Sequence, residues 1–348
     1  MKYSRNRINA AGQILSSETS DLLRHAEAIT VVEDWRKTHL HPLGVLVKEV
    51  SAVLQANGVA PAFSSRRLKR MTSIVEKLKH NPGMGLGGVQ DIGGARFVFE
   101  NIESLLKAQS VIETASLNGF VKVRDTYDYV QRPKPSGYRS IHFVYKYQSE
   151  DPEYDGLSVE LQIRTKLQHD WATAVETAEL ISKSPLKASL GDENWLAFFK
   201  LVSAIFARKE QMPVGEMYRN VTEEEMCSQY ATMNEDFKFL IKLRGLMSSV
   251  EFTSQAFDGG FALLLIQYDP NRVKFSHFND NELEKANAMY AQIENSLSKD
   301  EGAVVLVSVS DMKELQEAYP SYFLNAKEFV LALEEFNNTC RLKGYKSI

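Results

Sequence analysis

Between Arg66 and Thr165 the sequence gathers two isolated acids, a dense set of cations and an aromatic loop, the side chains that phosphoryl transfer uses. The segment Val159-Glu160-Leu161-Gln162-Ile163-Arg164-Thr165 alternates strictly. As a strand it turns Val159, Leu161 and Ile163 toward a core and Glu160, Gln162 and Arg164 to the other face. The second acid is Asp91, in Asp91-Ile92-Gly93-Gly94-Ala95-Arg96. Residues five apart in a regular strand face opposite ways. Gly93-Gly94 is therefore expected to bulge or twist and re-aim Asp91 and Arg96. Asp91 is a hard oxygen donor suited to Mg2+. Arg96 can stack on a base or hold a phosphate.

The cations precede these acids. The periodicity predicts a helix over Arg67–Lys79, with Leu68, Met71, Val75 and Leu78 as its apolar stripe. Lys69, Ser73 and Lys77 follow one another at a spacing of four on the opposite side. Arg66, Arg67 and Arg70 crowd the start, where positive charge opposes the helix dipole and calls for an anion. A polyphosphate cradle and a solvated basic face both satisfy that pattern. Downstream, Arg132-Pro133-Lys134-Pro135-Ser136-Gly137-Tyr138-Arg139-Ser140-Ile141-His142 reads as a stiff loop turning into a strand. Ile141, Phe143, Tyr145 and Tyr147 would form that strand's core face, with Tyr138, Ser140 and His142 opposite. An aromatic ring among cations suits base stacking with phosphate contacts.

Several other features carry less. No Walker loop occurs. Gly83-Met84-Gly85-Leu86-Gly87-Gly88 reads as a flexible connector, since no clear strand or helix brackets it. His169-Asp170 lacks companion histidines for a metal site. His39 and His41 belong to a helix start, with Pro42 in its first turn. Cys227 and Cys340 stand far apart, without metal-ligand spacing, and imply a reducing, cytoplasmic setting.

The elements that must position the site form a mixed pattern. The sequence up to about residue 57 reads as helices, the clearest being His41 to Gln55. Strands at Ala95–Phe99, Val121–Arg124, Tyr138–Tyr147 and Leu157–Ile163 follow, with helices at Ile102–Ala115 and Lys166–Leu180. Ser182–Asp192 is linker-like. Helices over Trp195–Glu210 and Glu223–Met247 precede a hairpin of Phe261–Gln267 and Val273–Phe278. A helix (Asn281–Asn295), a strand (Ala303–Val309) and two terminal helices complete the chain. The 348 residues hold two domains, and a net charge of −4 with 25% charged residues argues against disorder and bulk nucleic-acid binding. No apolar window spans a bilayer. The expected fold is α+β, a mixed sheet flanked by helices with a smaller C-terminal α+β module. The expected division is 1–215, a connecting helix at 216–248, and 249–348.

Taken in order, four motifs resemble the RelA/SpoT-type nucleotide pyrophosphokinase domain. They are Arg67-x-Lys69-x3-Ser73-x3-Lys77, Asp91-x4-Arg96, Lys134-Pro135-x-Gly137-Tyr138-Arg139-Ser140-x-His142 and Glu160-x-Gln162-x-Arg164-Thr165. The resemblance implies transfer of a diphosphate from ATP to a ribose 3′-hydroxyl, releasing AMP. It implies that Arg67 and Arg96 sandwich the adenine while Lys69, Ser73 and Lys77 hold the triphosphate. Asp91 and Glu160 would be catalytic and hold Mg2+, with Glu160 a candidate base. Tyr138, His142, Lys134, Arg139 and Gln162 would bind the acceptor. Further on, Tyr319-Pro320-Ser321-Tyr322-Phe323 resembles the Tyr-x-x-Tyr motif of CapRel-type fused toxin–antitoxin proteins. That resemblance implies a zinc-finger-like C-terminal module without zinc, in which Tyr319 and Tyr322 contribute to autoinhibition. It implies relief by a phage major capsid protein, and a tRNA 3′-CCA end as acceptor, with translation inhibited. GDP or GTP, giving (p)ppGpp, is the alternative acceptor.

Overall fold

The computed structural model describes residues 2–17, 21–182, 192–241, 243, 260–268, 271–297, 301–308 and 326–348. Tyr319 and Tyr322 lie outside the described residues, as does most of Ser182–Asp192.

Three helices open the chain: α1 (Arg5–Ser16), α2 (Leu22–Thr38) and α3 (Leu40–Ala56). The fold then alternates: β1 (Phe63–Leu68), α4 (Met71–His80), β2 (Gly93–Phe99), α5 (Ile102–Thr114), β3 (Phe120–Lys122), β4 (Tyr127–Asp128), β5 (Ile141–Tyr147) and β6 (Ser158–Thr165). Helices α6 (Lys166–Ser182), α7 (Glu193–Lys209) and α8 (Glu223–Phe237) follow. The C-terminal portion contributes β7 (Phe261–Tyr268), β8 (Asn271–Phe278), α9 (Leu283–Ser296), β9 (Gly302–Ser308) and α10 (Lys327–Leu342).

Among the described residues these strands form one sheet in the order β3-β5-β6-β2-β1-β9-β7-β8, with β4 against β5. β2 and β6 run parallel. The other pairs are antiparallel. One sheet face is apolar because every second residue of β2, β5 and β6 is: Ala95, Phe97, Ile141, Phe143, Leu161 and Ile163 are buried. Leu43, Leu46, Val50 and Leu54, recurring on one stripe of α3, cover that face together with Leu105, Ala108 and Ile112 of α5. The opposite face is left for the polar alternates.

The helix expected over Arg67–Lys79 is corrected. Phe63–Leu68 is a strand laddered to β2, so Arg67 and Lys69 precede the helix that carries Ser73 and Lys77. The run Arg66-Arg67-Leu68 is extended because strands on both sides use its backbone hydrogen bonds. Gly93 and Gly94 do not bulge. Both sit in register with β1 and β6, and Asp91 reaches the site because it precedes the strand. The Gly83–Gly88 run is not a loose connector. Leu86 is fully buried, and Gly87 N–H donates to Asn9 Oδ1 at 2.8 Å.

Cys227 of α8 and Cys340 of α10 are joined in a disulfide, with Cα atoms 5.9 Å apart. This corrects the reading of two separate thiols and removes its argument for a reducing setting. A sequence separation of 113 hid the pairing. The bridge borders an aromatic core in which Trp195, Phe198, Phe199, Tyr230 and Phe329 meet.

The C-terminal strands extend the first sheet rather than forming a separate one. β9 pairs with β7 on one side and with β1 on the other, through Arg66↔Ser308 and Arg67↔Val307. α9 adds a polar clasp. Glu294 Oε2 pairs with buried Arg36 at 3.3 Å, and its Oε1 accepts from Met71 N–H, the first amide of α4, at 3.0 Å. The anion that the basic start of α4 calls for is thus supplied in part by the chain itself.

Candidate active site

Strand register alone determines which side chains share the polar face. Ser65 pairs with Arg96, and Arg67 with Gly94. Gly94 pairs with Glu160, Arg96 with Gln162, and Gln162 with His142. Directly paired residues point the same way. Arg67, Arg96, Glu160, Gln162 and His142 therefore rise from one face. Gly94 lies among them, with open space where a Cβ would stand. Lys69 and Asp91 come up from the strand ends. Ser73 and Lys77 lie one turn apart on α4. Arg67, Lys69, Asp91, Arg96 and Glu160 line one small space, of about 60 Å3. It adjoins a cleft of about 270 Å3 lined also by Lys134, Tyr138, His142, Trp171 and Phe199.

Asp91 is held by two ammonium groups, Lys69 Nζ at 2.8 Å and Lys77 Nζ at 2.9 Å. Burial alone would raise its carboxyl; the two lysines outweigh that and draw it down to about 2. Burial depresses the Lys69 ammonium, with Asp91 acting against it.

Glu160 anchors a chain of hydrogen bonds. His142 Nδ1 lies 2.9 Å from Glu160 Oε1, and His142 Nε2 lies 2.9 Å from the Tyr138 hydroxyl. Gln162 donates to Glu160 Oε2 at 2.6 Å and accepts from Arg164 at 2.8 Å. Burial pushes Glu160 up, but its bond to His142 brings it below the ordinary carboxylate range. Burial would lower His142; Tyr138 and Glu160 reverse that and raise it. Burial would raise Tyr138, yet His142 and Arg164 bring it to about 7. Lys134 Nζ stands 5.1 Å from the Tyr138 ring centre and 4.5 Å from that of Tyr129, so the aromatic loop carries its own cation.

Arg139 faces inward. Its nitrogens donate to Val130 O at 2.9 Å, Pro213 O at 2.7 Å and Ser203 Oγ at 3.3 Å. That engages the guanidinium in holding the loop rather than lining the cleft. Gly137 has φ +92°, and a Cβ there would lie 2.9 Å from Ser203 Cβ. The sequence reading missed the apolar wall of the cleft: Trp171, Ala172 and Val175 of α6, with Leu196 and Phe199 of α7. The signal was present in the helical spacing of Trp171 and Val175, but it equally suits a core.

Asp91 and Glu160 border one space and are hard oxygen donors of the kind Mg2+ takes. Lys69 and Lys77 hold the two Asp91 oxygens, and His142 and Gln162 those of Glu160, so a bound ion would replace some of these contacts. No group of three or more acidic, histidine or cysteine ligands occurs among the described residues.

Residues 66–184 match the family model described as the region found in RelA/SpoT proteins. The chain is 30% identical to the GTP pyrophosphokinase YwaC of Bacillus subtilis over 161 residues, 41% of this chain and 74% of that protein. The chain belongs to the RelA/SpoT family. Its enzyme class is that of a pyrophosphotransferase. A second relative, the GTP pyrophosphokinase YjbM of Bacillus subtilis, is 36% identical over 115 residues. That match covers 32% of this chain, which spans about half (53%) of YjbM's length. Among solved structures, the small alarmone synthetase 1 from Bacillus subtilis bound to its product pppGpp aligns with TM-score 0.42 and 23% identity, covering 51% of this chain and 89% of that one.

Proposed function

We propose that this RelA/SpoT-family chain transfers a diphosphate from ATP to a ribose 3′-hydroxyl of a guanosine nucleotide. The observation that carries the reading is the register that brings Arg67, Arg96 and Glu160 to one face beside Lys69, Lys77 and Asp91. Arg67 and Arg96 clamp the adenine. Lys69, Ser73 and Lys77 hold the triphosphate, the two lysines turning from Asp91 to the phosphates. The acceptor base rests on Tyr138 against the Trp171–Phe199 wall, with Lys134 at its phosphates. Glu160 takes the proton of the 3′-hydroxyl as the oxygen attacks the β-phosphorus. The bond from that phosphorus to the α-phosphate's bridging oxygen breaks, and AMP leaves. His142 and Gln162 fix the Glu160 carboxylate. Mg2+ bound by Asp91 and Glu160 would neutralise developing phosphate charge.

A tRNA 3′ end is the second acceptor we consider. It is favoured by Arg132 and Arg219, which border a shallow hollow beside the acceptor loop and could meet a phosphodiester backbone. We further propose a CapRel-type arrangement. Docking of β9 on β1 and of Glu294 on α4 restrains the donor side of the cleft, with Tyr319 and Tyr322 contributing, and a phage major capsid protein relieves the restraint. No helix among the described residues is long and apolar enough to cross a membrane.

Incubation with ATP labelled at its γ-phosphate, Mg2+ and either GDP, GTP or deacylated tRNA tests the reading, for the full chain and for a truncation before residue 249. Label on guanosine nucleotide is expected. Label on tRNA alone transfers the conclusion to the second acceptor, and label on neither refutes diphosphate transfer.

A further inference from the structure

The sheet row that carries part of the cleft continues beyond it. Directly paired residues run from Ser65 through Arg96, Gln162 and His142 to Tyr127 of β4, at the edge of the sheet. Tyr127 therefore rises from the same polar face as Arg96 and His142. Tyr129 follows at the turn after β4, and the two rings stack in parallel, 4° apart in plane with centroids 5.9 Å apart. Tyr129 in turn meets His142 at 5.3 Å and Tyr138 at 6.2 Å, both T-shaped. The rings form an unbroken line from the acceptor residues to the sheet border. Tyr127 is 37% exposed, so the outer end of the line is open to solvent.

Charge accompanies the rings. The Arg124 guanidinium lies 5.5 Å from the centre of the Tyr127 ring and donates to its hydroxyl. Lys134 Nζ lies 4.5 Å from the centre of Tyr129. The order along the line is cation, ring, ring, cation, and both cations are exposed. The segment 122–134 carries Lys122, Arg124, Arg132 and Lys134 against Asp125 and Asp128. Asp128 pairs with Ile141 on the opposite face, and its carboxylate accepts from the amides of Val130 and Gln131. Neither tyrosine belongs to the buried apolar clusters. An exposed, stacked aromatic pair flanked by cations has the composition of a platform for unpaired bases.

We infer that Tyr127 and Tyr129 form an outer acceptor subsite for the base preceding a 3′-terminal nucleotide, so that the cleft takes the 3′ end of a single-stranded nucleic acid. The terminal base rests on Tyr138. The preceding base stacks on the Tyr127–Tyr129 pair, and the phosphates on either side of it draw Lys134 and Arg124 off the rings. A free guanosine nucleotide fills the inner part alone. Every base has a π-face, so the outer subsite selects for chain length rather than for sequence. The inference rests on the diphosphate-transfer reading for the placing of the 3′-hydroxyl at Glu160.

Two measurements on the full-length chain test it, with GMP, the dinucleotide CpG and the trinucleotide CpCpG as probes. The first is transfer from γ-labelled ATP with Mg2+, read as kcat/KM for each acceptor. The second is calorimetry of the same compounds without ATP. CpG and CpCpG are expected to exceed GMP by roughly tenfold or more in both, chiefly through KM. Tyr127→Ala should remove most of that preference, while Tyr127→Trp, which keeps a ring, should retain it. Arg124→Gln should weaken CpCpG binding and flatten its salt dependence. Label on none of the three, nor on GDP or GTP, removes the transfer reading, and calorimetry then still decides the subsite. Equal binding of GMP and CpCpG, a preference that survives Tyr127→Ala, or one lost equally in Tyr127→Trp would overturn the proposal.

Discussion

Replacing Glu294 by alanine removes one acid from two jobs. The Glu294 side chain is 8% accessible and its partner Arg36 3%. Without it, Arg36 keeps, among the described residues, Glu33 at 3.4 Å, the Tyr290 hydroxyl at 3.4 Å and the face of the Tyr290 ring, 4.6 Å from the guanidinium. Met71 N–H loses its acceptor at the start of α4. Breaking a buried pair on one side costs about 3–5 kcal/mol, because the surviving charge remains desolvated. At about 2 °C per kcal/mol for a chain of this size, Tm should fall by roughly 6–10 °C. The loss is local, so hydrogen exchange should quicken first in β7, β8, β9 and α9. Removing both ends, with Arg36→Met added to Glu294→Ala, should cost less than Glu294→Ala alone, since no cation is then stranded. Thermal denaturation and hydrogen exchange on the three variants decide it. A Tm within about 1 °C of the parent, with unchanged exchange in α9, would refute the view that this ion pair holds the C-terminal elements to α2 and α4.

Asp91→Asn should abolish diphosphate transfer while leaving the fold intact at neutral pH. Asp91 is depressed to about 2, so it contributes stability above its unfolded value near 4 that is lost as pH falls toward 2; urea titrations should show the Asn variant lacking that loss. Asp170 behaves oppositely. Burial, then Glu328, raises it to about 7, so its contribution is present below about 4 and lost as pH rises through about 7; Asp170→Asn should flatten the decline between pH 5 and 8, worth roughly 3 kcal/mol. Gly137→Ala forces a side chain onto Ser203 and Trp171 at positive φ, so KM for the acceptor should rise at least tenfold with ATP affinity little changed. Reducing the Cys227–Cys340 bridge, or Cys227→Ser, should cost about 2–5 kcal/mol, read as a lower urea midpoint that dithiothreitol reproduces in the parent.

The alternating strands were legible because their side chains obey the two-residue period on a half-buried sheet. β6 runs from Ser158 to Thr165 with Val159, Leu161 and Ile163 inward, as its alternation implies. β1 was not legible. Phe-Ser-Ser-Arg-Arg-Leu carries no apolar alternation, and its extension comes from neighbours far away in sequence, β2 and β9. The same long-range origin hid the disulfide and the Glu294 clasp. At the cleft, residue types pointed to Asp91, Glu160 and the cations. Their convergence depended on Asp91 preceding β2 rather than on the bulge expected at Gly93-Gly94. Arg139 shows the limit of motif reading: a cation beside a tyrosine in a loop reads as ligand-facing, and only the carbonyls of Val130 and Pro213 and the hydroxyl of Ser203 reveal an internal brace.

The pairing of β9 with β1 has a cost if it ever opens. Undocking would turn an interior strand into an unprotected border, its amides and carbonyls bared beside the donor lysine. Such a border invites any extended peptide to lie along it, and concentrated samples of a released form would be prone to self-association. Arg66 and Arg67 at that border act as charged gatekeepers against it.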